Sequence, residues 1–306
     1  MLKISIAMTT YNGARFLREQ LDSLKNQIRA ADEVVICDDN STDDTVLLIR
    51  NYIEKNNLSN WKIFENKENI GFSANFCKAL SKTTGDVVFL CDQDDVWSED
   101  KLECMTNLFA THPRVLGINT SFEIIGSGGE VTDAYGARGN RNYGLVTQRL
   151  RRPLERIHLK TVMRKNISPG CTTAFRRELI DCYVQNTESV SPHDYELNLM
   201  AAAKKGLYFY NVPLIQYRIH ESNTIGFKKI EKSRIEIAAE RFSASKGVRA
   251  FSGNGMAYKV HAERIQALTT RNFRAALCLW RLPEYYAYFR FKERVGDLLY
   301  ALKIRE

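Results

Sequence analysis

The sequence predicts an α/β fold with a mainly parallel central sheet flanked by helices, followed by a helical C-terminal extension. Three observations carry this. Four short apolar runs, at Lys3 to Thr9, Glu33 to Cys37, Trp61 to Glu65 and Val87 to Cys91, are too short for helices and rich in strand formers. Each is followed by a segment whose apolar residues recur three or four positions apart, the spacing of a helix with one buried face. The strand–helix units each fit within about 30 residues, which suits right-handed crossovers between parallel strands.

After the first strand, Thr10-Tyr11-Asn12-Gly13 makes a polar turn, and Leu17, Leu21 and Leu24 fall on one helical face with Phe16 beside them. The second strand runs into Asp38-Asp39-Asn40-Ser41, where Ser41 and Asp44 read as a capping box for a helix with Val46, Ile49 and Ile53 inward. Asn69-Ile70-Gly71 opens the next helix, with Phe72, Phe76 and Leu80 on one side. Val87 to Cys91 reads as a strand buried on both faces, and the helix after it starts near Ser98 and carries Leu102, Met105 and Phe109.

Beyond Arg114 the rhythm breaks. Val115 to Ile125 is strand-like, Gly126 to Gly129 is a turn, and Asp133 to Arg152 reads as a polar loop. Cys171 to Phe175 is a short strand, Tyr195 to Lys205 a helix, and Leu207–Tyr210 and Val212–Tyr217 two further strands. The remainder is helical, interrupted at Gly253-Asn254-Gly255. Residues 1–226 therefore read as a catalytic domain and 227–306 as a basic helical extension.

The 306 residues are 44% hydrophobic and 26% charged, a soluble globular composition. No apolar stretch approaches the length of a membrane span, and the N-terminus runs straight into a strand without a signal peptide. Seven cysteines, odd in number and never in CxxC spacing, read as small buried hydrophobes in a reducing compartment. The expected location is cytoplasmic. The net charge of +8 is unevenly placed, with 17 Lys and Arg against 8 Asp and Glu from Phe227 onward. The first 226 residues thus net to −1, and an anionic partner would dock on the tail.

Chemistry concentrates at the carboxyl ends of the strands, where ligands bind in open α/β sheets. Thr9-Thr10-Tyr11 follows the first strand, Asp38-Asp39 the second, and Asp92-Gln93-Asp94-Asp95 the fourth. Three carboxylates within four positions are costly beside a core strand unless a cation sits there. Mg2+ or Mn2+ with a nucleotide's phosphates is the simplest resident, and a solvated acidic turn capping the following helix is the alternative. Neither GxGxxG nor GxxxxGK[ST] occurs, which argues against a dinucleotide or P-loop site.

Met8-Thr9-Thr10-Tyr11-Asn12, Cys37-Asp38-Asp39-Asn40-Ser41, Asn69-Ile70-Gly71 and Asp92-Gln93-Asp94-Asp95 together resemble the inverting family 2 glycosyltransferases of GT-A fold, over about the first 225 residues. The Cys-Asp-Gln-Asp-Asp-Val-Trp form, with Pro169 to Phe175, His193-Asp194 and Tyr217-Arg218-Ile219-His220, is most similar to a rhamnosyltransferase-like branch that builds bacterial polysaccharides from dTDP-rhamnose. The resemblance implies nucleotide contacts at Thr9, Tyr11, Asp39 and Asp92, with Asp39 accepting from a pyrimidine imide. It implies Mg2+ or Mn2+ on Asp94, with Asp92 and His220 in reach and Asp95 ambiguous. Asp194 matches the general base, with a helix N-cap as the competing role.

Gly170, Cys171, Thr172 and His193 are expected to line the sugar and acceptor pocket, with Trp97 a candidate that packing explains as well. Arg218 and His220 are expected at the diphosphate, with structural hydrogen bonds as the alternative. The implied partners are a nucleotide-sugar donor, dTDP-rhamnose or a UDP-sugar, and a saccharide or lipid-linked acceptor. A non-catalytic nucleotide-sugar-binding protein, or a phosphotransferase with an aspartyl nucleophile, are readings the residues also allow. The basic aromatic stretch from Arg271 through Phe291 fits either a membrane surface, peripheral at the inner face of the plasma membrane, or packing on the catalytic domain or a second copy in a homodimer. No nucleic-acid module is present, so nucleic acid is not an expected partner.

Overall fold

The computed structural model describes residues 1–132, 145–221, 233–253 and 255–302. One mixed sheet organises the chain. Its parallel half contains β1 (Ile4–Thr10), β2 (Glu33–Asp38), β3 (Trp61–Glu65) and β4 (Val87–Cys91) in the order β3-β2-β1-β4. The crossovers are α1 (Ala14–Lys25), α2 (Thr45–Lys55) and α3 (Phe72–Lys82). β3 and β4 begin and end where the apolar runs predicted; β4, buried at every position, is bounded by the loss of its apolar residues, whereas β3 is a partly exposed edge strand.

The other half is more mixed than the sequence suggested. β8 (Thr173–Arg176) runs antiparallel to β4 and to β6 (Gly117–Ile125), and β9 (Leu207–Arg218) runs parallel to β6. Two short strands, β5 (Val96–Trp97) and β7 (Leu154–Arg156), pair antiparallel with β9. The remaining helices of this region are α4 (Lys101–Thr111), α5 (Leu159–Arg164), α6 (Arg177–Asn186) and α7 (His193–Ala203).

Alternation along the strands splits the core into two layers. Ile4, Ile6 and Met8 of β1 face one layer with Leu17 and Leu21 of α1 and Met105 and Phe109 of α4. Ala7, with Val35, Val88 and Leu90, faces the other, among Phe76 of α3, Leu179 of α6 and Leu199 of α7. Each fully buried Ile, Leu or Phe here contributes about 1.5–3 kcal/mol.

Several expectations are corrected. The capping box at Ser41 and Asp44 does not form: Asp44 precedes α2 without a side-chain cap. The Asp38 carboxylate captures both the Ser41 amide (2.8 Å) and its hydroxyl (2.6 Å), a charged acceptor outcompeting the helix end. Cys171 to Phe175 is not one strand, since Gly170–Thr172 forms a 3-10 turn before β8. The two strands expected across 207–217 are one, β9, whose register against β6 shifts near Thr120 and Ser121. Part of the expected loop of 133–152 lies outside the described residues, as does Asn254; its remainder leads directly into β7 and α5.

The C-terminal segment forms α8 (Arg234–Ser252), α9 (Gly255–Thr269), α10 (Phe273–Leu279), α11 (Pro283–Tyr288) and α12 (Phe291–Ala301). α8 begins at a capping box made by Ser233 and Glu236 and ends at left-handed Gly253 (φ 69°). Its Ala244 and Val248 join the same buried layer as α6 and α7. α9 to α12 enclose a smaller core of their own around Leu279, Tyr285 and Phe289. Among the described residues no helix is long and apolar enough to cross a membrane.

Candidate active site

The carboxyl ends of β1, β2 and β4 share one edge of the sheet, and the turns that follow them are stitched together by side chains. Asn12, at φ 48°, donates its amide to Ser41 Oγ (2.9 Å), and its own Oδ1 accepts from the Thr42 amide (2.8 Å). Gln93 grips Tyr11 by both backbone groups, accepting from its N–H (2.8 Å) and donating to its carbonyl (3.0 Å). The Tyr11 ring is left 47% exposed, a free face beside half-buried Thr9. Gln93 has no titratable group, and its clamp depends on a residue 82 positions away.

Asp39 is buried at the end of β2. Its Oδ1 accepts from Asn66 Nδ2 (2.7 Å) and the Ile70 amide (2.9 Å), and its Oδ2 from the Gly71 amide (2.9 Å). Gly71 adopts φ 84° and ψ 154°, a backbone region essentially restricted to glycine, which is why the Asn69-Ile70-Gly71 motif can fold onto the carboxylate. Three donors fix the carboxylate, and Oδ2 keeps acceptor capacity for a further N–H.

After β4 the carboxylates diverge. Asp92 and Asp94 are half-buried at the mouth, whereas Asp95 is fully buried. Asp95 Oδ1 accepts the Arg218 amide (3.0 Å), and Oδ2 has no nitrogen or oxygen donor among the described residues. Asp92, Asp95 and the Cys171 thiol bring donor atoms within 4.8 Å of one another. Burial, with the charges of Asp94 and Asp194, raises the Asp92 carboxyl to about 7. Burial and the charges of Asp94 and Asp92 push Asp95 well above the carboxylate range.

A buried cation stands behind them. Lys101 Nζ donates to the Cys171 carbonyl (2.6 Å) and lies 3.7 Å from the centre of the Trp97 ring. Burial lowers its pKa to about 8, while the surrounding acids oppose that fall. Sequence reasoning missed Lys101 because the lysine reads as the first residue of an ordinary helix.

Asp194 occupies the second position of α7 and does not cap it; Pro192 stands at the cap. Its carboxylate accepts from the Tyr195 amide (2.8 Å) and from Asn166 Nδ2 (2.7 Å). Asn166 Oδ1 in turn accepts from Asn198 Nδ2 (3.1 Å), and Asn198 Oδ1 from Asn119 Nδ2 (2.8 Å). This amide relay draws on three separate parts of the chain, so no local motif announces it. Burial raises Asp194 to about 6, where a carboxylate can take a proton near neutral pH.

Other expected site residues fall elsewhere. Arg218 is fully buried and donates to the Asp94 carbonyl (2.8 Å), the Gly126 carbonyl (3.2 Å) and Glu19 Oε2 (2.6 Å). It therefore braces the carboxylate turn from behind rather than facing a phosphate. His220 Nε2 lies 2.8 Å from Asp94 Oδ2, with its ring 4.7 Å from that of Phe16. Trp97, Cys171 and Thr172 are buried: Trp97 packs beneath Lys101, Cys171 touches the carboxylates from inside, and the Thr172 hydroxyl donates to the Pro169 carbonyl. Of the expected pocket residues, Gly170 remains half-exposed. His193 is buried against Phe76 (ring centres 3.7 Å apart), and burial lowers its pKa to about 3, so it is a neutral packing ring.

On the outer side, the Asp92 and Asp94 carboxylates offer hard oxygens of the kind Mg2+ or Mn2+ takes, with His220 hydrogen-bonded to Asp94; the three-donor grouping that converges among the described residues is Asp92, Asp95 and Cys171. The Cys171 thiol, raised well above its ordinary pKa by burial, is protonated and suits a hydrogen bond to the inner carboxylates.

The Glycosyl transferase family 2 profile matches residues 5–184. An uncharacterized glycosyltransferase of Nostoc sp. is 30% identical over 182 residues, which is 59% of this chain and 52% of that protein. The match thus spans about half the length of that relative. The poly(ribitol-phosphate) beta-N-acetylglucosaminyltransferase TarS of Staphylococcus aureus is 33% identical over 105 residues, 34% of this chain and 18% of its own. Residues 1–349 of TarS, solved with UDP, superpose with a TM-score of 0.60 at 16% identity over 98% of this chain and 81% of that one. The mannosyltransferase PcManGT of Pyrobaculum calidifontis, solved with GDP-Man and Mn2+, gives 0.55 at 20% identity over 99% and 86%. The fold is of GT-A type, and the chain belongs to glycosyl transferase family 2.

Proposed function

We propose that the protein transfers a sugar from a nucleoside-diphosphate sugar to an acceptor hydroxyl with inversion, using Asp194 as the general base. The observation that carries this is the placement of Asp194: a buried carboxylate of raised pKa, held by Asn166 and close enough to the Asp92 carboxylate to raise its pKa. As the acceptor oxygen bonds to the anomeric carbon, its proton passes to Asp194. The bond from that carbon to the diphosphate breaks, and the nucleoside diphosphate leaves.

Tyr11 offers a stacking face for the base and Asp39 Oδ2 an acceptor for its imide N–H. Asp92 and Asp94, with His220 beside Asp94, would hold Mg2+ or Mn2+, which would supply charge stabilisation to the leaving diphosphate. Gly170 lines the sugar side. Residues 1–226 act as the catalytic unit and 227–306 as an appended one, and the acceptor is a saccharide or lipid-linked saccharide of a bacterial surface polysaccharide. The donor proposed first is dTDP-L-rhamnose, on the Cys91-to-Trp97 form. A UDP-hexose is the second reading, favoured by the UDP complex of TarS and by an Asp39 geometry that accepts uracil as readily as thymine.

Calorimetric titration of dTDP-rhamnose, UDP-glucose, UDP-galactose and UDP-GlcNAc, with and without Mn2+, tests the donor. Metal-dependent binding of dTDP-rhamnose alone supports the first reading, and a UDP-sugar preference replaces it with the second. If no nucleotide sugar binds, the transferase proposal fails.

A further inference from the structure

We propose that the C-terminal helices carry a docking surface for an anionic bilayer. The starting observation is a contiguous patch of rings on α10 to α12. Trp280 meets Tyr286 and Phe291 edge-on, each with ring centres 6.2 Å apart. Phe291 is 66% exposed and Tyr286 47%, although Tyr285 and Phe289, on the same short stretch, are buried in the core beneath. Phe291 adds little to that core and costs solubility where it stands.

Cations surround the rings. Arg274, Leu277, Cys278 and Arg281 follow the three-to-four spacing of one helical face, and all are exposed. Arg290 and Lys292 flank Phe291, also exposed. The nearby acids of α12 are engaged elsewhere: Glu293 pairs with Arg241 (3.1 Å), and buried Asp297 holds Arg264 (2.8 Å) and Arg234 (2.9 Å). Under the patch, the Arg294 guanidinium lies 3.9 Å from the centre of the Tyr286 ring and 5.4 Å from that of Trp280. Its Nε and Nη1 have no hydrogen-bond partner among the described residues. The surface thus joins exposed positive charge to exposed aromatic and aliphatic side chains.

Charge decides the occupant. A second copy bound across a two-fold axis would set this cationic patch against the same cationic patch of its partner. An anionic bilayer meets the same cations with phosphates, while Trp and Tyr rings settle at the headgroup level and Leu277 and Phe291 enter the acyl boundary. Such a seat would bring the enzyme to a lipid-borne acceptor, but the inference stands on the patch alone and needs no donor.

Flotation of the full chain with phosphatidylcholine vesicles, with and without phosphatidylglycerol, tests it. The chain is expected to float only with the anionic vesicles and to be released by high salt. Reversing three charges (Arg281→Glu, Arg290→Glu, Lys292→Glu) is expected to weaken binding on the order of a hundredfold. Phe291→Ser with Tyr286→Ser, at unchanged charge, is expected to weaken it roughly tenfold or more. Circular dichroism verifies that both variants fold. Absence of anionic-vesicle binding, or binding unchanged in both variants, overturns the proposal. So does sedimentation equilibrium showing a dimer that Phe291→Ser dissociates, or tighter binding to a single-stranded oligonucleotide than to the vesicles.

Discussion

Replacing Asp194 by Asn separates the two consequences of burying that carboxylate. The folded-state pKa of about 6 lies above the ordinary value of 3.8, so the folded chain holds the proton more tightly than the unfolded one. Stability from this group is therefore full below the unfolded value and is lost as pH rises toward 6. The difference, roughly two pKa units, corresponds to about 3 kcal/mol, all of it present as a cost above pH 6. Asparagine carries no such cost, but its single oxygen cannot satisfy both the Tyr195 amide and Asn166 Nδ2, and losing one of these bonds costs about 1–2 kcal/mol. Urea unfolding of both proteins should show the variant less stable near pH 4 and more stable by about 1–2 kcal/mol at pH 8. Turnover should fall by a factor on the order of 10²–10⁴ with donor affinity unchanged, and wild-type turnover should itself decline as pH falls through about 6. A stability difference that stays flat between pH 4 and 8 would refute the raised pKa. Retained turnover would refute the base.

Lys101→Met removes the cation behind Asp92 and Asp95 together with its bond to the Cys171 carbonyl. Urea unfolding at pH 8 should show a loss of about 3–5 kcal/mol, and less at pH 5, where Asp92 carries its proton. Asp94→Asn should weaken Mn2+ binding by at least roughly tenfold by calorimetry; in the wild type that affinity should rise between pH 5 and 7 as Asp92 deprotonates. Unchanged affinity in the variant would move the cation off Asp94. Gly71→Ala meets open space at its Cβ, so its expected cost of about 1–3 kcal/mol is backbone strain, read as a lowered unfolding midpoint with weaker nucleotide binding.

The parallel half of the sheet was legible because burial on both faces leaves a continuous apolar run, as in β4. The antiparallel half was not. β5 and β7 are two and three residues long, set by pairing with β9 rather than by any pattern of their own. In the site, the motifs pointed to Asp39, Asp92, Asp94 and Asp194, but they could not divide the carboxylates into outward and inward ones. Past the end of β4 the backbone turns and the two-residue alternation no longer reports direction, so Asp94 and Asp95 look alike in sequence. Arg218 shows the same limit from the other side. Its role follows from Glu19, Gly126 and Asp95, none of them a local neighbour.

These placements give the site a charge gradient. Toward the interior, Lys101 faces Asp92 and Asp95, while Arg218 spends much of its charge on Glu19. Toward solvent, Asp92, Asp94 and Asp194 lie close together, and burial with the charges of Asp94 and Asp194 raises the Asp92 carboxyl. A nucleoside diphosphate is itself anionic, so this mouth would repel it. On the proposed function, a divalent cation on Asp92 and Asp94 would bring positive charge from outside and would offset their field at the proposed diphosphate position. The inner cation cannot substitute for it. Lys101 is fully buried between the Trp97 ring and the Cys171 carbonyl, so it steadies the carboxylates from inside.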